Sequence, residues 1–277
     1  VKQAFIIFVR SLFAYAALTL ALLAFWFGTI HYPSPSPKKS PLWEASAPLV
    51  VVDAGHGGQD GGAVANDLTE KNTALDLARR LQTHLEAKGV RVLMTREKDE
   101  FLTLEKRAQI ANEAKAAAFV SMHLNTSVED ANSIHGMETY FCAVKSLNTI
   151  RKIKESFQVP SNVTLQDLRG KQLAEVIQRI TCQRVSAEDR GAKERSLTVV
   201  QTTTCPSVLI ECGFMTHKKE ATQLKEESYR DRLASGVAEG VCTFLKAQEL
   251  QPKRGLQLTE PKSVTPPAQV TAQVTKN

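Results

Sequence analysis

The chain has 277 residues and a mass of 30.5 kDa, enough for one large domain or two small ones with a real hydrophobic core. Hydrophobic residues make up 43% and charged residues 23%, which excludes a collagen-like, wholly disordered or multi-span membrane chain, and five cysteines without a Cys-x-x-Cys pair exclude a disulfide scaffold and a thiolate zinc ribbon. Of the net charge of +6, residues 1–40 supply four basic residues and no acid, residues 248–277 supply four basic against two acidic, and residues 41–247 hold 27 of each sign; a basic excess confined to the flanks argues against nucleic acid as a partner.

Ser11 to Ile30 reads SLFAYAALTLALLAFWFGTI, without a charge. Its length suits a helix crossing a hydrocarbon layer about 30 Å thick at roughly 1.5 Å per residue. Lys2 and Arg10 precede it, which favours an inside N-terminus and export of the rest of the chain. No clean small-x-small cleavage site is present, so residues 1–30 read as an uncleaved signal anchor or a cleaved signal peptide, with a buried core helix as the plain alternative. Both leading readings place the remainder across the inner membrane, in the periplasm, and membrane-anchored if the helix is kept.

Residues 31–48 form a Pro-rich linker, with Pro33, Pro35, Pro37, Pro41 and Pro48. Ser36-Pro-Lys-Lys39 within it has Ser-x-x-Lys spacing, but a serine nucleophile needs that spacing on a helix, which this linker does not offer.

The run Leu49–Val52 suits a strand buried on both faces, and the glycines of Asp53-Ala-Gly-His-Gly-Gly58 mark a sharp loop at its C-terminal end. Thr69 to Lys88 has helical spacing and stops at Gly89. Val90–Met94 is a second strand, Leu104–Lys115 a helix with Thr103 as N-cap, and Ala117–Met122 a third strand running into His123. Gly136–Cys142 and Leu197–Gln201 read as further strands, with a helix over Leu165–Ile180 between them. Ser207–Ile210 is a last buried strand before Glu211, and Tyr229–Leu245 a last helix. Residues 143–164 fit this alternation poorly and read as an insertion: a lid, a regulatory element or a surface excursion. Residues 248–277, polar and proline-containing, are expected to be a disordered tail. The expectation is an α/β fold over 49–247, a single domain with a mostly parallel sheet flanked by helices on both faces, preceded by an N-terminal membrane or signal helix.

Open α/β sheets bind ligands at the carboxyl ends of their strands. His56, His123 and Glu211 fall at three such ends, and Glu70 opens the helix after His56. Two imidazoles and a carboxylate make a His₂Glu set, known for catalytic zinc with an open position for water. Each residue also has a plainer reading. His56 can be a turn residue, Glu70 the end of a capping box from Asp67, and His123 a hydrogen-bonded core histidine. A carboxylate ending a buried apolar strand, as Glu211 does, is costly unless paired, metal-bound or open to a cleft. Alternation lets Glu138 face either the cleft or water. His84 reads as a surface helix residue, His217 as a helix start or loop, and Cys212 as packed core.

The string Val-Val-Asp53-Ala-Gly-His56-Gly-Gly-Gln-Asp60-Gly-Gly-Ala63 resembles the opening motif of the zinc-dependent N-acetylmuramoyl-L-alanine amidases, which hydrolyse bacterial peptidoglycan. Glu70, Thr95-Arg96 with Asp99, Leu104 with Arg107, Ala111-Asn112, Ser121-Met-His123-Leu-Asn125, Gly136-Met-Glu-Thr-Tyr140 and Val208-Leu-Ile-Glu211-Cys-Gly-Phe214 come after it in the family's order. The resemblance implies that His56, Glu70 and His123 bind one Zn2+ and that Glu211 is the catalytic acid/base. It also implies that the bond cut joins the lactyl group of N-acetylmuramic acid to L-alanine of the stem peptide, in cell-wall remodelling or cell separation. Asn125 is a candidate for supporting a ligand or touching substrate. Cys212 and His217 depart from the family's usual residues. Because a helix near 143–164 plugs the site in some relatives until an activator moves it, an activator protein is a further candidate partner beside peptidoglycan and the membrane. Two other readings stay open: a zinc peptidase acting on stem-peptide bonds, and a non-catalytic cell-wall binding module.

Overall fold

The apolar run after the linker forms β1 (Leu49–Ala54), whose Val50 and Val52 pack into one hydrophobic layer and Val51 into the opposite one. That two-sided burial makes it a central strand. The computed structural model describes residues 47–131, 133–159, 164–251, 253 and 255–259. The expected membrane or signal helix, and the linker up to residue 46, lie outside these residues. Among the described residues no helix is long and apolar enough to cross a membrane.

After β1 come the hairpin β2 (Val64–Ala65) and β3 (Leu68–Thr69), then α1 (Glu70–Ala87), β4 (Arg91–Met94), α2 (Leu104–Glu113), β5 (Ala118–Asn125) and β6 (Met137–Phe141). The second half holds α3 (Leu147–Phe157), β7 (Thr164–Asp167), α4 (Arg169–Val185), β8 (Asp189–Glu194), α5 (Thr198–Gln201), β9 (Ser207–Phe214), α6 (Lys218–Lys225), α7 (Glu227–Leu250) and β10 (Leu256–Thr259). Six strands make one sheet in the order β4-β1-β5-β9-β6-β8. Every neighbouring pair is parallel except β6 with β9, which is antiparallel.

Helices cover both faces, as expected. Leu77, Leu81 and Leu85 of α1, Leu173 and Ile177 of α4, and Leu233, Val237 and Val241 of α7 share the larger layer with Val50 and Val52. Ala111 of α2 and Val199 and Val200 of α5 meet Val51, Phe119 and Leu209 on the other side. Each such buried aliphatic side chain contributes about 1.5–3 kcal/mol. Thr103 caps α2 as its sequence position predicts, its hydroxyl accepting from the Lys106 N–H at 3.2 Å.

Several expectations need correction. Leu197–Gln201, read as a strand, is the short helix α5: its two valines meet the core from a single turn, a spacing that four residues cannot distinguish from extended backbone. The helix expected from Leu165 begins at Arg169. The Asp167 carboxylate accepts from the Arg169 N–H at 3.0 Å and forms an ion pair with its guanidinium, which fixes the helix start there. Thr164–Asp167 is instead strand β7, paired antiparallel with β10. The tail expected to be disordered from residue 248 is therefore ordered in part: α7 runs on to Leu250, and Leu256–Thr259 forms β10. Within the expected insertion, α3 buries Thr149 and Ile153 and stacks Phe157 under the Arg169 guanidinium at 4.9 Å. The strand β8 and the helix α6 have no counterpart in the sequence reading.

Candidate active site

Because β1, β5 and β9 are parallel, their carboxyl ends meet on one edge of the sheet. β1 ends in the turn Gly55-His56-Gly57, where His56 takes φ +59°, a left-handed conformation uncommon outside glycine. The Arg107 guanidinium holds this turn by donating to the His56 carbonyl at 2.6 Å. His56 presents Nδ1 to Asp60 at 2.9 Å and Nε2 to Glu70 Oε1 at 3.0 Å. From β5, His123 places Nδ1 2.9 Å from the same Glu70 oxygen. Glu70 also accepts from the backbone N–H groups of Ala63 at 2.9 Å and Leu124 at 3.1 Å.

One donor atom from each of His56, Glu70 and His123 lies within 4.8 Å of the others, which makes the trio able to hold a metal ion. The two imidazole rings meet edge to face, their centroids 4.9 Å apart. Burial favours a protonated Glu70, but hydrogen bonds from His123, His56 and Ala63 outweigh it and hold the carboxyl well below its usual range. Burial likewise opposes charge on His56, yet Glu70 and Asp60 raise its proton affinity above the ordinary histidine value.

On β9, Glu211 stands in register with His123 of β5 on one side and Glu138 of β6 on the other. Its Oε2 is buried without a hydrogen-bond partner among the described residues. Burial above all, with Glu70 and Glu138 adding to it against His123 and His56, pushes the Glu211 carboxyl up to about 7. Glu138 has the opposite fate. It too is buried, but Lys193, Tyr140, Arg190 and Asn125 all donate to it, and its carboxyl sits below the usual range although burial works against that. Two carboxylates on neighbouring strands are thus driven apart, one toward holding a proton near neutrality and one toward staying charged, a pattern that marks acid/base sites.

Behind the turn lies a buried ionic scaffold. Asp53, fully buried, accepts from Thr95 Oγ1 at 2.6 Å, Ser121 Oγ at 2.6 Å and Arg107 Nη1 at 2.8 Å. Arg96 donates to the carbonyls of Ala54, Gly55 and Lys71, tying β1 to the start of α1. Gly55 is held to its residue type by close approach, since a Cβ there would stand 2.3 Å from His123 Cε1. Gly55→Ala is expected to displace that ring and weaken metal binding by about tenfold or more, from an overpacking cost of roughly 1–3 kcal/mol. Titration of metal-depleted protein measures this; an unchanged affinity would show that the ring yields freely.

His56, Glu70, His123 and Glu211 are therefore brought together as the sequence reading expects. No capping box forms at α1: Thr69 makes no side-chain cap, and Glu70 turns to the imidazoles instead. Asn125 is tied to the same group of residues: its amide donates to Glu138 at 2.8 Å and its Oδ1 accepts from the Thr126 N–H. The sequence reading missed Asp60 as the partner of His56, although its position four residues on in a glycine turn was the available signal. It left the face of Glu138 open, which only pairing with β9 decides. Among the remaining histidines, His84 pairs with Asp231 at 3.0 Å, and His135 and His217 stack with ring centroids 4.9 Å apart. The five cysteines are free, and Cys212 is packed core.

Residues 50–243 match the family model for N-acetylmuramoyl-L-alanine amidase. Among curated relatives, the N-acetylmuramoyl-L-alanine amidase LytC of Bacillus subtilis is 33% identical over 71% of this chain, which spans only 35% of that protein's length. Among solved structures, an N-acetylmuramoyl-L-alanine amidase from Clostridium difficile 630 superposes with a TM-score of 0.62 at 31% identity, covering 73% of this chain and 98% of that one. The CwlD amidase from Clostridioides difficile, solved in complex with the GerS lipoprotein, gives 0.61 at 27% identity, covering 72% of this chain and 99% of that one.

Proposed function

Because the chain belongs to the N-acetylmuramoyl-L-alanine amidase family, we propose that it hydrolyses the amide bond between the lactyl group of N-acetylmuramic acid and L-alanine of the stem peptide in peptidoglycan. The observation that carries the reading is the unpartnered Oε2 of Glu211, buried beside the convergent donors of His56, Glu70 and His123. Those donors fit one zinc ion, as a His₂Glu set that leaves a position open. Bound there, zinc would supply Lewis acidity, polarising the scissile carbonyl and making water a competent nucleophile near neutral pH.

Glu211 accepts the proton of the attacking water at Oε2 and passes it to the leaving nitrogen, and the burial that raises its proton affinity favours holding that proton between the two transfers. Asp60 orients the His56 ring through Nδ1, so that Nε2 would be the atom available to hold the ion. Asn125 acts through Glu138, to which it donates, rather than by touching substrate.

A stem-peptide peptidase would use the same four residues, so products decide between the two. Incubation with a defined muropeptide is expected to release a peptide beginning with L-alanine and to free the lactyl carboxyl; an intact muramoyl-alanine product would favour the peptidase. Chelation is expected to abolish hydrolysis and zinc to restore it, whereas a binding module would turn over nothing in either state. The apolar stretch Ser11–Ile30 supports export to the periplasm, with membrane anchorage if that stretch is uncleaved, as part of the same proposal. The complex of CwlD with a lipoprotein supports a protein partner for this chain too; that such a partner activates it through segment 143–164, and that cell separation is the setting, are further parts of the same proposal.

A further inference from the structure

The edge strand β8, Asp189-Arg-Gly-Ala-Lys-Glu194, is polar, with two acidic and two basic residues, and nothing in its sequence explains why it lies against β6. Its pairing contains an irregularity: Met137 pairs with Asp189, yet Thr139, two residues on, pairs with Ala192, three residues on. The extra residue is a β-bulge, and Gly191 within it takes φ +87°, a backbone conformation that glycine adopts without strain. In a regular strand, positions 190 and 193 would point to opposite faces. With the bulge, Arg190 Nε and Lys193 Nζ both reach one oxygen, Oε2 of Glu138.

Glu138 neighbours Glu211 across the β6–β9 pairing, so the two cations are held on the carboxylate next to the proposed proton shuttle. The two cations share a single oxygen of one carboxylate. Arg190 also donates to the His135 carbonyl at 3.4 Å and lies over the Phe214 ring at 5.0 Å. Among the described residues, Arg190 Nη2 and the remaining Lys193 N–H groups have no protein acceptor. Both side chains keep solvent access, 27% for Arg190 and 40% for Lys193. A guanidinium and an ammonium, oriented by a buried carboxylate and short of acceptors, suit an incoming carboxylate.

We propose that Arg190 and Lys193, aimed by the β8 bulge and held on Glu138, form a subsite that binds a free carboxylate of the stem peptide. The proposal rests on the amidase reading, because the lactyl carboxyl is locked in the amide before cleavage and the free carboxylates near the bond belong to the peptide. Glu138 is a positioning residue in this arrangement, and Arg190 and Lys193 set specificity.

The test compares two muropeptides, one with its peptide carboxylates free and one with them amidated, cleaved by the zinc-loaded full chain. The parent is expected to favour the free acid by about tenfold or more in kcat/KM, the scale of one charge-assisted hydrogen bond. Lys193→Gln and Arg190→Gln should each bring that ratio toward one, chiefly by raising KM for the free acid, while Lys193→Arg retains it. The ratio is internal to each preparation, so a loss of folded protein alone leaves it unchanged. Equal cleavage of both substrates by the parent, or a ratio that neither glutamine variant moves, overturns the subsite and leaves the amidase reading intact. Failure of the parent to cleave either substrate would overturn the amidase reading itself, and the subsite with it.

Discussion

Glu211→Gln is expected to lower the rate of muropeptide hydrolysis by about 10²–10⁴-fold while leaving metal content at the parent level. Glutamine keeps the shape of the side chain but cannot accept and return a proton. The three metal donors come from other segments and do not depend on the carboxylate for their hydrogen bonds. A variant that turned over at the parent rate would remove Glu211 from the mechanism.

The same substitution carries a second signature, in stability. The Glu211 carboxyl has its folded-state pKa raised to about 7, above an unfolded value near 4.3. Its contribution is thus fully present below about pH 4 and lost as pH rises through 7, because the folded chain then confines a charge in a buried position. Metal-depleted Glu211→Gln protein should therefore be more stable than metal-depleted parent at pH 8, by up to about 3 kcal/mol, and the gap should close toward pH 4. Denaturant midpoints across that range measure it. Activity and stability moving in opposite directions at one residue is the expected mark of a site that retains a costly group for its chemistry.

Asp53→Ala is expected to be the most damaging single change to the fold, costing about 3–5 kcal/mol and lowering the melting temperature by roughly 10 °C. It would strand the Arg107 guanidinium, only 2% exposed, without a countercharge and leave the Thr95 and Ser121 hydroxyls without their acceptor. The damage should reach the metal as well, since Arg107 also holds the His56 carbonyl in its left-handed turn. Asp53→Asn keeps the shape without the charge and is expected to recover only part of the loss. Thermal unfolding with and without zinc separates the two effects; a melting point within a few degrees of the parent would refute the ionic scaffold.

Much of this architecture was legible in the chain because its strands announce themselves in two ways. Leu49–Ala54, Ala118–Met122 and Ser207–Ile210 are apolar runs too short for helices, and each stops at a residue with unusual chemistry: Asp53 before His56, His123 and Glu211. That coincidence gave both the sheet and its functional edge. What stayed hidden depends on contacts between distant segments. β8 has no apolar alternation, because it is an edge strand whose side chains serve Glu138, so nothing local marks it as extended. Glu138 could face either side until an antiparallel neighbour fixed it opposite Glu211. In β10, Leu256-Gln-Leu-Thr259 does alternate, but it becomes a strand only because β7 offers it an edge.

That last pairing orders events as the chain emerges during synthesis and export. A nascent polypeptide emerges N-terminus first at about 5–20 residues per second, and all six strands of the main sheet are synthesised by Phe214. β7 must wait for Leu256–Thr259, beyond the whole of α7, before its backbone amides find their mates. Among the described strands, β7 is therefore the last to find its partner. Chains ending short of Leu256 would carry His56, Glu70, His123 and Glu211 and still lack that fastening.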